Sequence, residues 1–320
     1  MKKYARPIMF ILIAGSAGLA AETYLRYRRD LGSARKRIGA GSELVDTPCG
    51  RIEYAVRGEG APVLVVHGAG GGYDQGLLIG ESLLGDGFHI IAPSRFGYLR
   101  TPLPDDAAAE AQADAHACLL DALEIPRAAV VGVSAGAPSS VQFALRHPQR
   151  CTSLTLISGA MYAPEAHVMP ESPAPGWMLN AVLRWDFPTW LAGKLAPRRM
   201  LYLLGVPRAL HHRLPPETKA RLSKMMDSLL PISARRAGLF NDAAVVGSLD
   251  RYPLEQITAP TLVVNAADDP YDTFAAGEFT AENIPGAEFV ALESGGHLLL
   301  GHEERIRGEV SAFIREHAAV

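Results

Sequence analysis

The stretch Val130-Val131-Gly132-Val133-Ser134-Ala135-Gly136-Ala137 carries an apolar strand pattern directly into a small-residue helix pattern, with a serine at the joint. A chain that turns from strand to helix so abruptly holds the joint residue in a strained conformation. Glycines two positions away on either side keep side chains clear of the two elements that meet there. This is the pattern of a nucleophile elbow. With 31 glycines in 320 residues, a G-x-S-x-G match arises by chance in roughly one such chain in six, so the surroundings decide.

Those surroundings read as α/β. Residues 43–45 and 51–56 have strand character and are joined by the turn Thr47-Pro48-Cys49-Gly50. Short apolar runs follow at 62–66, 90–93, 128–133, 153–157, 261–265 and 288–292, with helix patterns between several of them, such as 105–123 and 135–146. Continuously apolar strands separated by helices imply a mostly parallel central sheet flanked by helices on both faces. The alternation stops between 161 and 250, where Pro164, Pro170, Pro173, Pro175, Pro188, Pro197, Pro207, Pro215 and Pro216 punctuate helix-like segments. The expected organisation is a core of residues 41–160 and 251–320, with 161–250 inserted as a helical cap.

A serine hydroxyl is a weak nucleophile at neutral pH and needs a base, an acid to orient that base, and donors for the oxyanion. His297 is the candidate base. It lies in Glu293-Ser294-Gly295-Gly296-His297-Leu298, past the last strand, where the two glycines permit a tight exit back over the sheet edge. The acid lies in the strand end and turn Asn265-Ala266-Ala267-Asp268-Asp269-Pro270, where either Asp268 or Asp269 can take the role. Donors are expected from the backbone N–H of Ala135, directly after the serine, and from the loop His67-Gly68-Ala69-Gly70-Gly71-Gly72, at Ala69. A phosphate-binding loop is disfavoured, because the Lys-Ser/Thr ending and the G-x-G-x-x-G register are absent.

In this combination the chain resembles the α/β-hydrolase fold superfamily over roughly residues 43–318. His67-Gly68 is similar to its oxyanion-loop H-G, Gly132-Val133-Ser134-Ala135-Gly136 to its elbow, and Gly296-His297 to its terminal G-H. The family's G-x-x-D for the acid is matched with Ala266 in place of the glycine, and the resemblance therefore favours Asp269 over Asp268. The family's D-x-x-G-x-G turn appears in altered form as Ser94-Arg95-Phe96-Gly97-Tyr98-Leu99. Having Ser134 where haloalkane dehalogenases and most epoxide hydrolases carry aspartate argues against both activities.

The resemblance implies a serine hydrolase of carboxylic esters, with no cofactor and no metal. The same triad also serves carbon–carbon bond hydrolysis in the meta-cleavage product hydrolases, and lactone, amide or perhydrolysis chemistry stays open. A binding protein on the same fold is a remote alternative, since all three triad residues are retained. Trp177, Trp185, Trp190 and six of the eight methionines lie within 161–226, which tilts the expected substrate towards an apolar acyl or aryl small molecule. A formal net charge of −3 gives no footprint for nucleic acid. Cys49, Cys118 and Cys151, far apart and without C-x-x-C, indicate neither a disulfide framework nor a zinc site and read as structural.

The first forty residues stand apart. Lys2, Lys3 and Arg6 precede an uncharged run from 7 to 21, followed by Arg26, Arg28, Arg29, Arg35, Lys36 and Arg37. The run is shorter than the roughly 20 residues that span a bilayer. The expectation is an uncleaved anchor that associates with membrane through residues 7–29, with a cleaved signal peptide and export, or a buried helix, as the alternatives.

Overall fold

The computed structural model describes residues 5–164, 176–211 and 214–318, with side chains from residue 16 onward. Helix α1 (Ala5–Ala40) leads into a hairpin of β1 (Glu43–Thr47) and β2 (Gly50–Arg57). The chain then alternates β3 (Ala61–Val66), α2 (Tyr73–Leu83), β4 (Phe88–Pro93), α3 (Ala109–Ala122), β5 (Ala128–Val133), α4 (Ala137–Arg146) and β6 (Cys151–Ile157). Helices α5 (Gly176–Leu183), α6 (Asp186–Leu195), α7 (Pro197–Leu203), α8 (Pro216–Ser228) and α9 (Arg236–Gly247) follow. The sheet resumes with β7 (Thr261–Ala266), α10 (Thr273–Asn283), β8 (Glu288–Leu292) and α11 (Glu303–Ala318). Lys2, Lys3, Met169, Pro170, Pro173 and Pro175 lie outside the described residues.

The strands form one sheet in the order β1-β2-β4-β3-β5-β6-β7-β8, antiparallel at β1/β2 and β2/β4 and parallel from there on. This is the expected mostly parallel α/β sheet. Its apolar runs serve two cores at once, because successive strand residues point to opposite faces. Leu64 and Val66 of β3 join Leu119, Leu120, Val141 and Phe143 on the α3/α4 side, whereas Val63 and Val65 join Leu77, Ile306, Val310 and Ile314 on the α2/α11 side. Each such fully buried side chain contributes about 1.5–3 kcal/mol of transfer free energy. The parallel register directs the C-terminal ends of β3, β5, β7 and β8 to one edge, which is where ligands sit in open α/β sheets.

Two expectations are corrected. Cys49, in the β1–β2 turn, and Cys118, on α3, form a disulfide with Cα atoms 6.1 Å apart, leaving Cys151 free and buried. A spacing of 69 residues carries no sign of pairing; the contact exists because α3 packs beside the hairpin. Closing a loop of that length stabilises by about 4 kcal/mol in the chain-entropy account.

The expected membrane anchor is also overturned, since no helix among the described residues is long and apolar enough to cross a membrane. The uncharged run is too short, and the helix that contains it continues through Glu22, Arg26 and Asp30 to Ala40. Of the aromatic and basic stretch that points to a lipid interface, Tyr27 packs against protein, while Tyr24, Arg26, Arg28 and Arg29 stay exposed. Leu31 and Ala34 are buried, and the Tyr27 ring lies 5.1 Å from Phe187 and 5.7 Å from Trp190. Asp30 accepts the Trp190 indole N–H at 3.0 Å, and Arg37 donates to the Leu230 carbonyl at 2.9 Å. Trp190 is thereby committed to holding α1, while Trp177 and Trp185 are exposed on and beside α5.

Candidate active site

Ser134 sits at the exit of β5 with φ +52, a left-handed conformation that a residue with a Cβ adopts at a cost of order 1–2 kcal/mol. The flanking glycines are required by close approach. A Cβ on Gly132 would lie 2.5 Å from Ser140 Oγ, and one on Gly136 would lie 2.5 Å from the Val66 carbonyl oxygen. The elbow thus presses against both its own helix and the end of β3, and the spacing read in the sequence is steric in origin.

The other two expected triad residues meet. His297, buried in a short turn after β8, has Nδ1 2.7 Å from Asp269 Oδ2. Burial alone would raise the Asp269 carboxyl, but its hydrogen bond and charge interaction with His297, the Thr273 hydroxyl and the Tyr271 N–H (2.9 Å) together hold it below the ordinary carboxylate value. Asp268 does something different: its Oδ1 accepts the backbone N–H of Gly296 at 2.7 Å. Among the described hydrogen bonds none joins Ser134 to His297, so the serine and its expected base face the same edge without that contact.

The expected oxyanion loop lies against the serine, since a Cβ on Gly68 would be 3.0 Å from Ser134 Cβ. Its neighbouring amides are occupied: Gly68 N–H by Gln75 Oε1 at 3.1 Å, Gly70 N–H by Tyr98 Oη at 3.1 Å and Gly71 N–H by the Gly68 carbonyl at 3.3 Å. The N–H groups of Ala69 and Ala135 have no acceptor among the described residues. Ala69 is exposed and Ala135 is buried.

Several residues around the site carry no sequence motif. The His297 N–H donates to the Gly205 carbonyl at 2.9 Å, and a Cβ on Gly205, at φ +78, would lie 2.2 Å from His297 Cβ. Tyr271 stacks edge-on to the His297 ring at 4.8 Å and its hydroxyl donates to the Leu203 carbonyl; burial, then Asp269, pushes that phenol up to about 12. Behind the oxyanion loop, Arg95 and Asp242 pair through both terminal guanidinium nitrogens at 2.6 and 2.8 Å, and Tyr98 donates to the same carboxylate. Arg235, fully buried, pairs with Asp74 at 2.7 Å and donates to the Gly71 carbonyl. The altered turn at 94–99 was the only sequence signal for any of these. Asp242 and Arg235 belong to helical segments whose pattern marks no contact with the loop. Among the described residues, no cluster of three or more His, Cys, Asp or Glu could hold a metal ion.

Residues 61–303 match the family model described as the alpha/beta hydrolase fold. The chain belongs to the α/β-hydrolase fold family. Among curated relatives of this hydrolase, the 2-hydroxy-6-oxononadienedioate/2-hydroxy-6-oxononatrienedioate hydrolase of Paraburkholderia xenovorans is 30% identical over 265 residues, spanning 77% of this chain and 84% of the relative. Among solved structures, an alpha/beta hydrolase fold protein from Nakamurella multipartita is 29% identical with a TM-score of 0.69, covering 86% of this chain and 99% of that one. A thermophilic esterase from Thermogutta terrifontis is 25% identical with a TM-score of 0.64, covering 88% of this chain and all (100%) of its own.

Proposed function

We propose that this hydrolase is a serine esterase acting on carboxylic esters with apolar acyl or aryl groups. The observation that carries the reading is Ser134 at φ +52 in its glycine-flanked elbow, at the sheet edge where Asp269 holds His297 at 2.7 Å. With Nδ1–H donated to Asp269, the Nε2 lone pair of His297 is free to act as base. Ser134 Oγ attacks the ester carbonyl carbon as His297 takes its proton, and the developing oxyanion receives the N–H groups of Ala69 and Ala135. Collapse expels the alcohol, protonated by His297. Water then attacks the acyl-enzyme by the same proton route and frees the acid. In this reading the helices between β6 and β7 form the cap over the site.

Carbon–carbon bond hydrolysis is the second reading, favoured by the similarity to the Paraburkholderia enzyme. A dioate brings carboxylates that need cationic partners. The two buried arginines beside the oxyanion loop, Arg95 and Arg235, are each already matched by an aspartate, Asp242 and Asp74. That balance supports a neutral ester. The deciding experiment assays p-nitrophenyl esters from acetate to laurate beside a dienone diketo acid. Ester turnover that vanishes in Ser134→Ala is the expected result, and turnover of the diketo acid alone would overturn it.

A further inference from the structure

The altered turn at 94–99 reaches the site through the oxyanion loop. In a trans peptide the C=O and the following N–H point in opposite directions, so whatever grips the Gly68 carbonyl also aims the Ala69 N–H. The Gly71 N–H reaches that carbonyl at 3.3 Å, and the shorter grip comes from His67. Its Nε2 accepts the Arg95 backbone N–H at 3.0 Å, which leaves the proton on Nδ1 to be donated to the Gly68 carbonyl at 2.7 Å. Burial, reinforced by the Arg95 charge, keeps this imidazole neutral, well below its ordinary pKa.

The next peptide is held from the other side, by Gly70 N–H donating to Tyr98 Oη at 3.1 Å. Ala69 therefore lies between two fixed peptides. Both fixings converge on one carboxylate of α9: Asp242 accepts the Tyr98 hydroxyl and both Arg95 nitrogens, and Arg95 Nε in turn donates to the His67 carbonyl at 2.9 Å.

The geometry points to Asp242 as a positioning residue that, through Tyr98 and Arg95, sets the direction of the Ala69 N–H and so makes oxyanion binding depend on the docking of α9. The proposal rests on the esterase reading above. Asp242 touches no reacting atom. Its effect is on the transition state, because the donor it aims is used only when charge develops on the carbonyl oxygen.

The test uses full-length protein and the variants Tyr98→Phe and Asp242→Asn. Reactive serine is titrated with a fluorophosphonate, kcat per titrated serine and KM are measured with p-nitrophenyl butyrate, and exchange of the Gly70 amide is followed by hydrogen–deuterium exchange. Tyr98→Phe is expected to lower kcat per titrated serine by about ten- to a hundredfold. KM should stay within about threefold, and Gly70 should exchange faster, as expected for loss of an interaction made only in the transition state. Asp242→Asn should shift the same quantities the same way, and it carries the comparison if Tyr98→Phe gives no titratable serine. A merely structural role would lower the titratable fraction and leave kcat per serine unchanged, which would overturn the proposal. Wild-type protein that neither reacts with the fluorophosphonate nor cleaves the ester would instead remove the esterase reading, and this proposal with it.

Discussion

Asp268 Oδ1 accepts the Gly296 N–H at 2.7 Å, one residue before the histidine that Asp269 binds. Adjacent carboxylates thus divide the work: one fixes the imidazole and the other fixes the backbone that carries it. Asp269→Asn should lower kcat by about 10⁴, because the amide no longer stabilises the imidazolium or its correct tautomer. Asp268→Asn keeps an oxygen acceptor for Gly296 and should stay within about tenfold of wild type. Comparison of the two purified variants on one ester is the check, and the reverse order of severity would reassign the acid.

Ser134→Ala should fold and lose hydrolysis, retaining only what the oxyanion donors and binding supply. Ser134→Gly should be equally inactive yet more stable than Ser134→Ala by up to about 1 kcal/mol. The gain arises because glycine adopts φ +52 without the Cβ penalty, although it loses more chain entropy on folding. Paired urea melts decide this. Equal stability would mean that the elbow holds little strain.

Two neutral histidines set an acid limit on stability. Burial, then the Arg95 charge, pushes His116 down to about 3, and the same two causes hold His67 well below its ordinary value. In the unfolded chain both titrate near ~6.5, so below that pH the unfolded state binds protons that the native state refuses. Stability should be full above about 6.5 and fall by up to about 1.4 kcal/mol per pH unit per histidine as the pH drops, until the native values are reached. The depressed Asp269 adds a further loss in the same direction, beginning only below about 4. Urea melts are expected to show lower stability at pH 5 than at pH 7.5, by about 2 kcal/mol from His116 with His67 adding in the same direction, and His116→Leu should shrink the difference. A flat profile would show that these rings are protonated in the folded protein.

Legibility in the sequence followed the range of the interaction. The strands were readable because a buried parallel strand must be apolar on both faces, and Ser134 and His297 because their turns demand glycine at fixed offsets. Only the family resemblance separates Asp269 from Asp268, since two acids in one turn have the same local pattern. The Cys49–Cys118 bond, the Gly205 carbonyl under His297 and the Asp242 contact with Tyr98 each join segments far apart in the chain, and no local periodicity records them. The basic and aromatic residues of α1 give a misleading signal, because a helix that packs Tyr27 on protein and keeps its arginines in water has the same composition as one lying at a lipid surface.

That packing makes α1 part of the folded body. A chain beginning at Gly41 would lose Ala34 from the cluster with Trp190 and Leu230 and would lose the buried Leu31, along with the Asp30–Trp190 and Arg37–Leu230 hydrogen bonds. In the full chain Leu31→Ala alone should cost about 2–3 kcal/mol, as for a buried leucine whose site closes only in part. The shortened chain should unfold at lower urea. With Trp177→Phe and Trp185→Phe in the background, the remaining emission comes from Trp190 and should shift to the red as its indole meets water. The removed segment lies before every strand and every residue of the proposed triad, so ester turnover at low temperature should survive better than stability does. A shortened chain with the emission maximum and urea midpoint of the full chain would show that α1 lies on the body without stabilising it.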